Sequence, residues 1–300
     1  MKHLRLLGIA SVALLAACSG GITSAPMPDR VGGMQAARVA GGGALPFCST
    51  LTGCPPVSKI YVTDQLKNTL TTYTGTGAPS TPTITGLNTP TGVVVDSNGK
   101  IYIANLGNDT ITTYTQNGTP TTPTITAGLA TPLGIAVDQN GKIYAANFRN
   151  VTTYAPSGVQ TTPTISTPGS PKAVAVDNSG KIYVTDVGPN EVLTYTAAGV
   201  PTTPTISLSS QPFGIAVDAA GRIYVTLFSG TMQTYTAAGA PTTPVITGLS
   251  NPALLTLDPF GRIYIANFGD GIVETFSGSG APTTPTITGF SAPTGVAITP

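Results

Sequence analysis

From Pro56 onward the apolar residues fall in short runs rich in Val, Ile, Thr and Tyr. Turn-forming residues bound each run, and none keeps a helical period of 3.6. The runs recur. Lys/Arg-Ile-Tyr occurs six times, with Ile at 60, 101, 143, 182, 223 and 263, so the spacings are 41, 42, 39, 41 and 40. Between the copies stands a second motif: PTGVVVD from Pro90, PLGIAVD from Pro132, PKAVAVD from Pro171, PFGIAVD from Pro212 and PALLTLD from Pro252, with a partial copy, PTGVAIT, from Pro293.

Each unit reads as four short strands. Strand a is the small apolar run, such as Val93–Val95, and the turn that follows carries Asn98-Gly99, a strong hairpin signal. Strand b is KIYIAN from Lys100, strand c TITTYT from Thr110, and strand d PTIT from Pro123. Four strands repeated at this period predict the blade of an all-β propeller with antiparallel strands. Six copies predict six blades. The chain enters the pattern at a strand b and leaves it at a strand a, so the last strand is expected to complete the first blade and close the ring. Proline at 82, 123, 163, 204, 244 and 285 falls in strand d, on the outer edge, where a missing N–H is tolerated and discourages pairing with another chain.

At this point the units resemble the NHL-repeat propellers, through P-x-G-I/V-A-V-D-x-x-G-K/R-I-Y and a following strand ending in Tyr or Phe. The resemblance covers about 245 residues. It extends to streptogramin lyase-like and gluconolactonase-like propellers and implies a scaffold rather than one activity.

The first 55 residues read differently. Lys2, His3 and Arg5 precede an apolar stretch from Leu6 to Ala17, too short for a comfortable membrane span, which needs roughly 20 residues. Its end, Leu15-Ala16-Ala17-Cys18, resembles the bacterial lipobox. That resemblance implies a signal peptide over 1–17, lipidation of Cys18, and export to the cell envelope; Ser19 favours the outer membrane, facing the periplasm or the cell surface. Residues 18–55 are rich in Gly, Ala and Pro and read as a tether, leaving 56–300 as the propeller. In an oxidising compartment Cys48 and Cys54 are expected to pair as a local disulfide.

Charged residues make up only 8% of the chain. Removing Lys2 and Arg5 from the 13 basic residues leaves 11 against 12 acidic ones, which gives no basic patch for nucleic acid and no polybasic membrane segment. Cleavage also removes His3, the one histidine, so a histidine base is excluded and the mechanisms of histidine-dependent relatives do not carry over.

Loop lengths locate the functional face. The a–b and c–d turns keep constant length in every complete unit, and all variation falls in the b–c and d–a loops. Repeat proteins commonly concentrate such variation on the binding face. On that face the ends of strand b (Asp64, Asn105, Asn147, Asp186, Leu227 and Asn267) are expected to ring the channel mouth. The residues after the motif proline (Thr91, Leu133, Lys172, Phe213, Ala253 and Thr294) are expected nearby, with one apolar side at Phe213, Leu227 and Phe228. The expected ligand face is thus Asp64, Asn105, Asn147, Lys172, Asp186, Phe213 and Asn267. The reading is a lipid-anchored, monomeric, non-catalytic binding module for a protein or carbohydrate partner, with no cofactor. The alternative is a metal-dependent, lactonase-like hydrolase holding Ca²⁺ or another divalent ion on the Asp and Asn oxygens.

Overall fold

The computed structural model describes residues 59–299. The leader, Cys18, the tether and the Cys48–Cys54 pair lie outside them. The described chain forms six four-stranded antiparallel sheets, and its only helical turn is the three-residue segment Leu106–Asn108. No helix among these residues is long and apolar enough to cross a membrane. The protein is a six-bladed β-propeller.

Blades 2 to 6 each run a-b-c-d in chain order, from Pro90, Ile135, Pro171, Pro212 and Pro252 respectively. Blade 1 takes b, c and d from Lys59–Ile84 and strand a from the other end of the chain, Pro293–Thr299. The closing register sets Lys59 opposite Thr299, Ile60 opposite Ile298 and Val62 opposite Val296. Side chains tie the same seam: Gly295 N–H donates to Thr63 Oγ1 at 2.8 Å, and Ser291 N–H to Asp64 Oδ2 at 2.7 Å.

The alternation of strand b explains the core. Successive side chains point to opposite faces of the sheet. Ile101 and Ile103 therefore pack towards blade 1, with Tyr61, Leu70 and Ile84. Tyr102 and Ala104 pack towards blade 3, with Ile143 and Tyr154. Strand b is covered on both faces, which is why it reads as an almost unbroken apolar run. The cluster that joins Ile60, Val62 and Val296 to Tyr264 and Ile287 closes the circle between blades 1 and 6.

The outer edge is locked by a second repeat. The c–d turn glycine of each blade lies on the strand-d proline of the blade before it, as Gly118 does on Pro82. Each of these prolines follows a cis peptide bond to threonine.

Candidate functional site: the mouth of the ring

The b–c and d–a loops share one face, and their geometry begins with the last residue of strand b. Asn105, Asn147 and Asp186 are buried, and each accepts from the backbone of its own d–a loop: Asn88 N–H at 3.3 Å, Ala130 N–H at 3.2 Å and Gly169 N–H at 2.9 Å. Asp64 does the same at the seam, taking Ser291 and Ala292 N–H, and also Lys67 N–H at 3.1 Å. Asn267 is buried too, and its amide donates to Glu274. These five side chains do not ring an accessible mouth, contrary to the sequence-based expectation. A short Asp or Asn at a strand end satisfies the N–H groups of the loop folding over it, and those donors would otherwise be orphaned. Leu227, the apolar member of the series, is fully buried in the core between blades 4 and 5.

The opening is built by other positions. A depression of about 410 Å³ lies at the centre of this face. Thr91, Leu133, Phe213, Ala253 and Thr294 line it, so five of the six residues that follow a motif proline converge there. The sixth position of that ring is Lys172. Phe213 packs against both the blade 4–5 core and the cluster that contains Ala253, its neighbour in the ring. Strand b of the preceding blade holds it: Thr185 Oγ1 donates to Phe213 O at 2.8 Å and accepts from Ala173 N–H at 3.0 Å.

The rest of the lining comes from the residue just after strand b. Gln65, Phe228 and Phe268 reach the depression, and Asn251 and Pro252 complete it. In blades 5, 6 and 1 this position is fixed alike. Phe228 N–H donates to Gln211 O at 2.8 Å, Phe268 N–H to Asn251 O at 3.2 Å and Gln65 N–H to Ala292 O at 2.9 Å, in each case the carbonyl before the motif proline. Phe228 is 58% and Phe268 39% exposed, and Phe148 at the same position of blade 3 is 53% exposed, so the mouth carries an apolar rim open to solvent. Gln65 and Phe268 went unnoticed in the sequence; reading one residue past each strand b, in the phase of the repeat, would have found both.

No residue lining the depression is charged. Beside it, burial holds the Lys172 ammonium below the ordinary lysine range, and the Asp186 carboxylate pulls the other way. The opposite face is repetitive. Asp96 accepts from Asn98 N–H at 2.9 Å, Lys100 N–H at 3.0 Å and Tyr102 Oη at 3.1 Å, and blades 3 to 5 repeat that arrangement. Arg222 and Arg262 pair with Asp218 and Asp258 in the same turns.

A central divalent ion does not fit these residues. The oxygens proposed for it belong to Asp64, Asn105, Asn147, Asp186 and Asn267, each buried in its own blade. Among the described residues no three His, Cys, Asp or Glu side chains are grouped to hold a metal.

The fold and its mouth define a six-bladed propeller with an apolar central depression. No family model matches the sequence, and no curated protein matches it. Solved structures do. A propeller from a nidogen/laminin complex superposes with a TM-score of 0.69 at 16% identity, covering 80% of this chain and 97% of that one. A protein of unknown function from Bacteroides caccae gives 0.68 at 13% identity, over 81% and 99%. The virginiamycin B lyase of Staphylococcus aureus gives 0.61 at 17% identity, over 84% and 90%. At these identities the likeness is one of fold.

Proposed function

We propose that this chain is a non-catalytic binding module of the bacterial envelope, anchored through a lipidated Cys18, which seats an apolar side chain of a protein partner in the mouth of the propeller. One observation carries the reading. A depression of about 410 Å³ is lined by Leu133, Phe213, Phe228 and Phe268, with two of the three phenylalanines well exposed around it. Concave apolar sites with a few polar groups are the usual form of a binding pocket, and exposed aromatic rims mark protein contacts.

Several facts support a protein over a sugar. The Thr91 hydroxyl already donates to Pro132 O and Leu133 O at 3.0 Å, and that of Thr294 to Ala292 O at 3.3 Å. Only Gln65 and Asn251 remain in the lining to offer side-chain amides to a polar ligand. One fold neighbour is a propeller crystallised in a protein–protein complex. Another is a lyase whose histidine-to-alanine form is catalytically inactive, and the described residues here contain no histidine.

Site-specific photo-crosslinking tests the reading. A benzophenone residue at Phe228 should give a discrete protein adduct in intact cells, lost on Phe213→Ser, while the same residue at Ala197 on the opposite face should give none. Equal adducts from both faces would overturn the reading. Loss of lipid labelling in Cys18→Ser tests the anchor.

A further inference from the structure

Resting on that binding reading, we propose that the mouth recognises a loop of its partner in which the inserted apolar side chain stands next to an Asp or Glu, whose carboxylate is met by Lys172. The six residues after the motif prolines form a ring. Five of them line the depression and are uncharged; Lys172 is the sixth, and the only charged one. Its neighbours in the ring are Leu133 and Phe213. Gly134 N–H donates to Lys172 O at 2.9 Å, which holds its backbone against the Leu133 segment. On the other side, Thr185 bridges Ala173, the residue after Lys172, to Phe213.

The ammonium is left available. Lys172 is half-buried, and its side chain makes no hydrogen bond or ion pair among the described residues. Asp186 acts on it only through its charge at longer range, and its own oxygens accept from Gly169 N–H at 2.9 Å and Gly188 N–H at 3.2 Å. The other cations of this face are engaged. Lys67 donates to Gly289 O at 2.6 Å and sits 3.9 Å from Asp64, and Arg149 lies over the ring of Phe148. The Ser170 hydroxyl, two residues before Lys172, is buried and without a partner. A half-desolvated ammonium lacking a hydrogen-bond partner, beside an otherwise uncharged apolar depression, is complementary to one carboxylate close to an apolar group.

A loop fits better than a chain end. Leu106, Phe148 and Val187 occupy the rim position in blades 2, 3 and 4, as Phe228 and Phe268 do in blades 5 and 6. The apolar collar therefore extends well beyond the depression, and a chain running on at both sides of the inserted residue would cover it.

Three peptides test the inference by calorimetric titration of the intact protein: a disulfide-closed loop with Phe-Asp at its apex, the same loop with Phe-Asn, and a linear peptide ending in Phe with a free carboxylate. The Phe-Asp loop should bind at least about tenfold more tightly than the Phe-Asn loop, the scale of one charge-assisted hydrogen bond. Lys172→Met should remove that preference, so that the two loops bind the variant equally, and Lys172→Arg should keep it. Equal binding of the two loops, or a preference that survives Lys172→Met, would overturn the inference while leaving the apolar-mouth reading intact. Tighter binding of the linear peptide would overturn the loop assignment. No binding by any of the three, together with no effect of Phe213→Ser on crosslinking, would sink both readings.

Discussion

Gly77 of the first blade lies directly on Pro285 of the last: a Cβ added to Gly77 would stand 2.6 Å from the proline Cβ. The glycine has φ +87°, in the region where an L side chain is strained, so two separate constraints select it. This contact repeats around the rim and here crosses the seam where the ring closes. Gly77→Ala is expected to destabilise the fold by about 2–4 kcal/mol through backbone strain and overpacking together. Gly86 supplies the control. It has φ +74° and open space around its missing Cβ, so Gly86→Ala should show the backbone cost alone, about 1–2 kcal/mol. Paired denaturant melts separate the two contributions; equal losses would mean that the rim contact carries no weight.

Asp64 is the side chain that holds the seam at the mouth. It is 1% exposed and accepts from Ser291, Ala292 and Lys67 N–H groups. Asp64→Ala strands these donors, and a stranded buried donor costs about 1–3 kcal/mol. The variant should lose several kcal/mol, and hydrogen exchange should quicken first at residues 291–295. Asp64→Asn keeps one acceptor oxygen and should lose less.

Removing residues 293–300 is a harsher test of the same closure. It deletes the inner strand of blade 1 and uncovers Ile60 and Val62, both fully buried in the intact ring. The truncated protein should lose its cooperative melt and be cut rapidly by protease within Lys59–Ile84. A truncated form that melts like the full chain would mean that ring closure is not what stabilises blade 1.

Much of this architecture is written in short-range pattern. The short apolar run Ile101-Tyr102-Ile103-Ala104, the Asn98-Gly99 turn and the repeat phase determine blade number, strand order and closure, because each depends on neighbours in sequence or on counting. The mouth was less legible. Asp or Asn at the end of a strand can serve equally as a ligand-facing group or as a cap for its own loop, and the difference lies in a side-chain rotation that no spacing encodes. Phe228 is expected on the apolar side of the mouth and lines it, but Phe268, at the same repeat position of blade 6, is passed over because an aromatic residue directly after a buried strand also reads as more core. The contact of Gly77 with Pro285 was invisible for another reason: it joins the fourth strand of one blade to a turn of the next, and only the closed ring brings those two together.

The tyrosines of strand b make stability sensitive to alkali. In blades 2 to 5, Tyr102, Tyr144, Tyr183 and Tyr224 donate to Asp96, Asp138, Asp177 and Asp218 at 3.0–3.2 Å. Burial raises the pKa of each phenol well above the ordinary tyrosine range, and the neighbouring carboxylate raises it further. A pKa raised on folding gives stability that is fully present below the unfolded value, near 10 for tyrosine, and is lost as pH climbs from there towards the folded value. Each such tyrosine that ionises only after unfolding contributes up to about 1.4 kcal/mol of loss per pH unit above 10. The melting temperature should therefore be flat from pH 7 to 9 and fall steeply beyond 10. Acid acts through the other partner. Burial raises the Asp177 pKa, but donors from Ser179, Lys181 and Tyr183 outweigh it and hold the group below the usual carboxylate value, so its contribution disappears only as pH falls below about 4. Tyr183→Phe separates the two limbs. It should flatten the alkaline fall by the share of one proton and weaken the hold on Asp177 in acid, and an unchanged alkaline slope would show that this hydroxyl does not govern the transition.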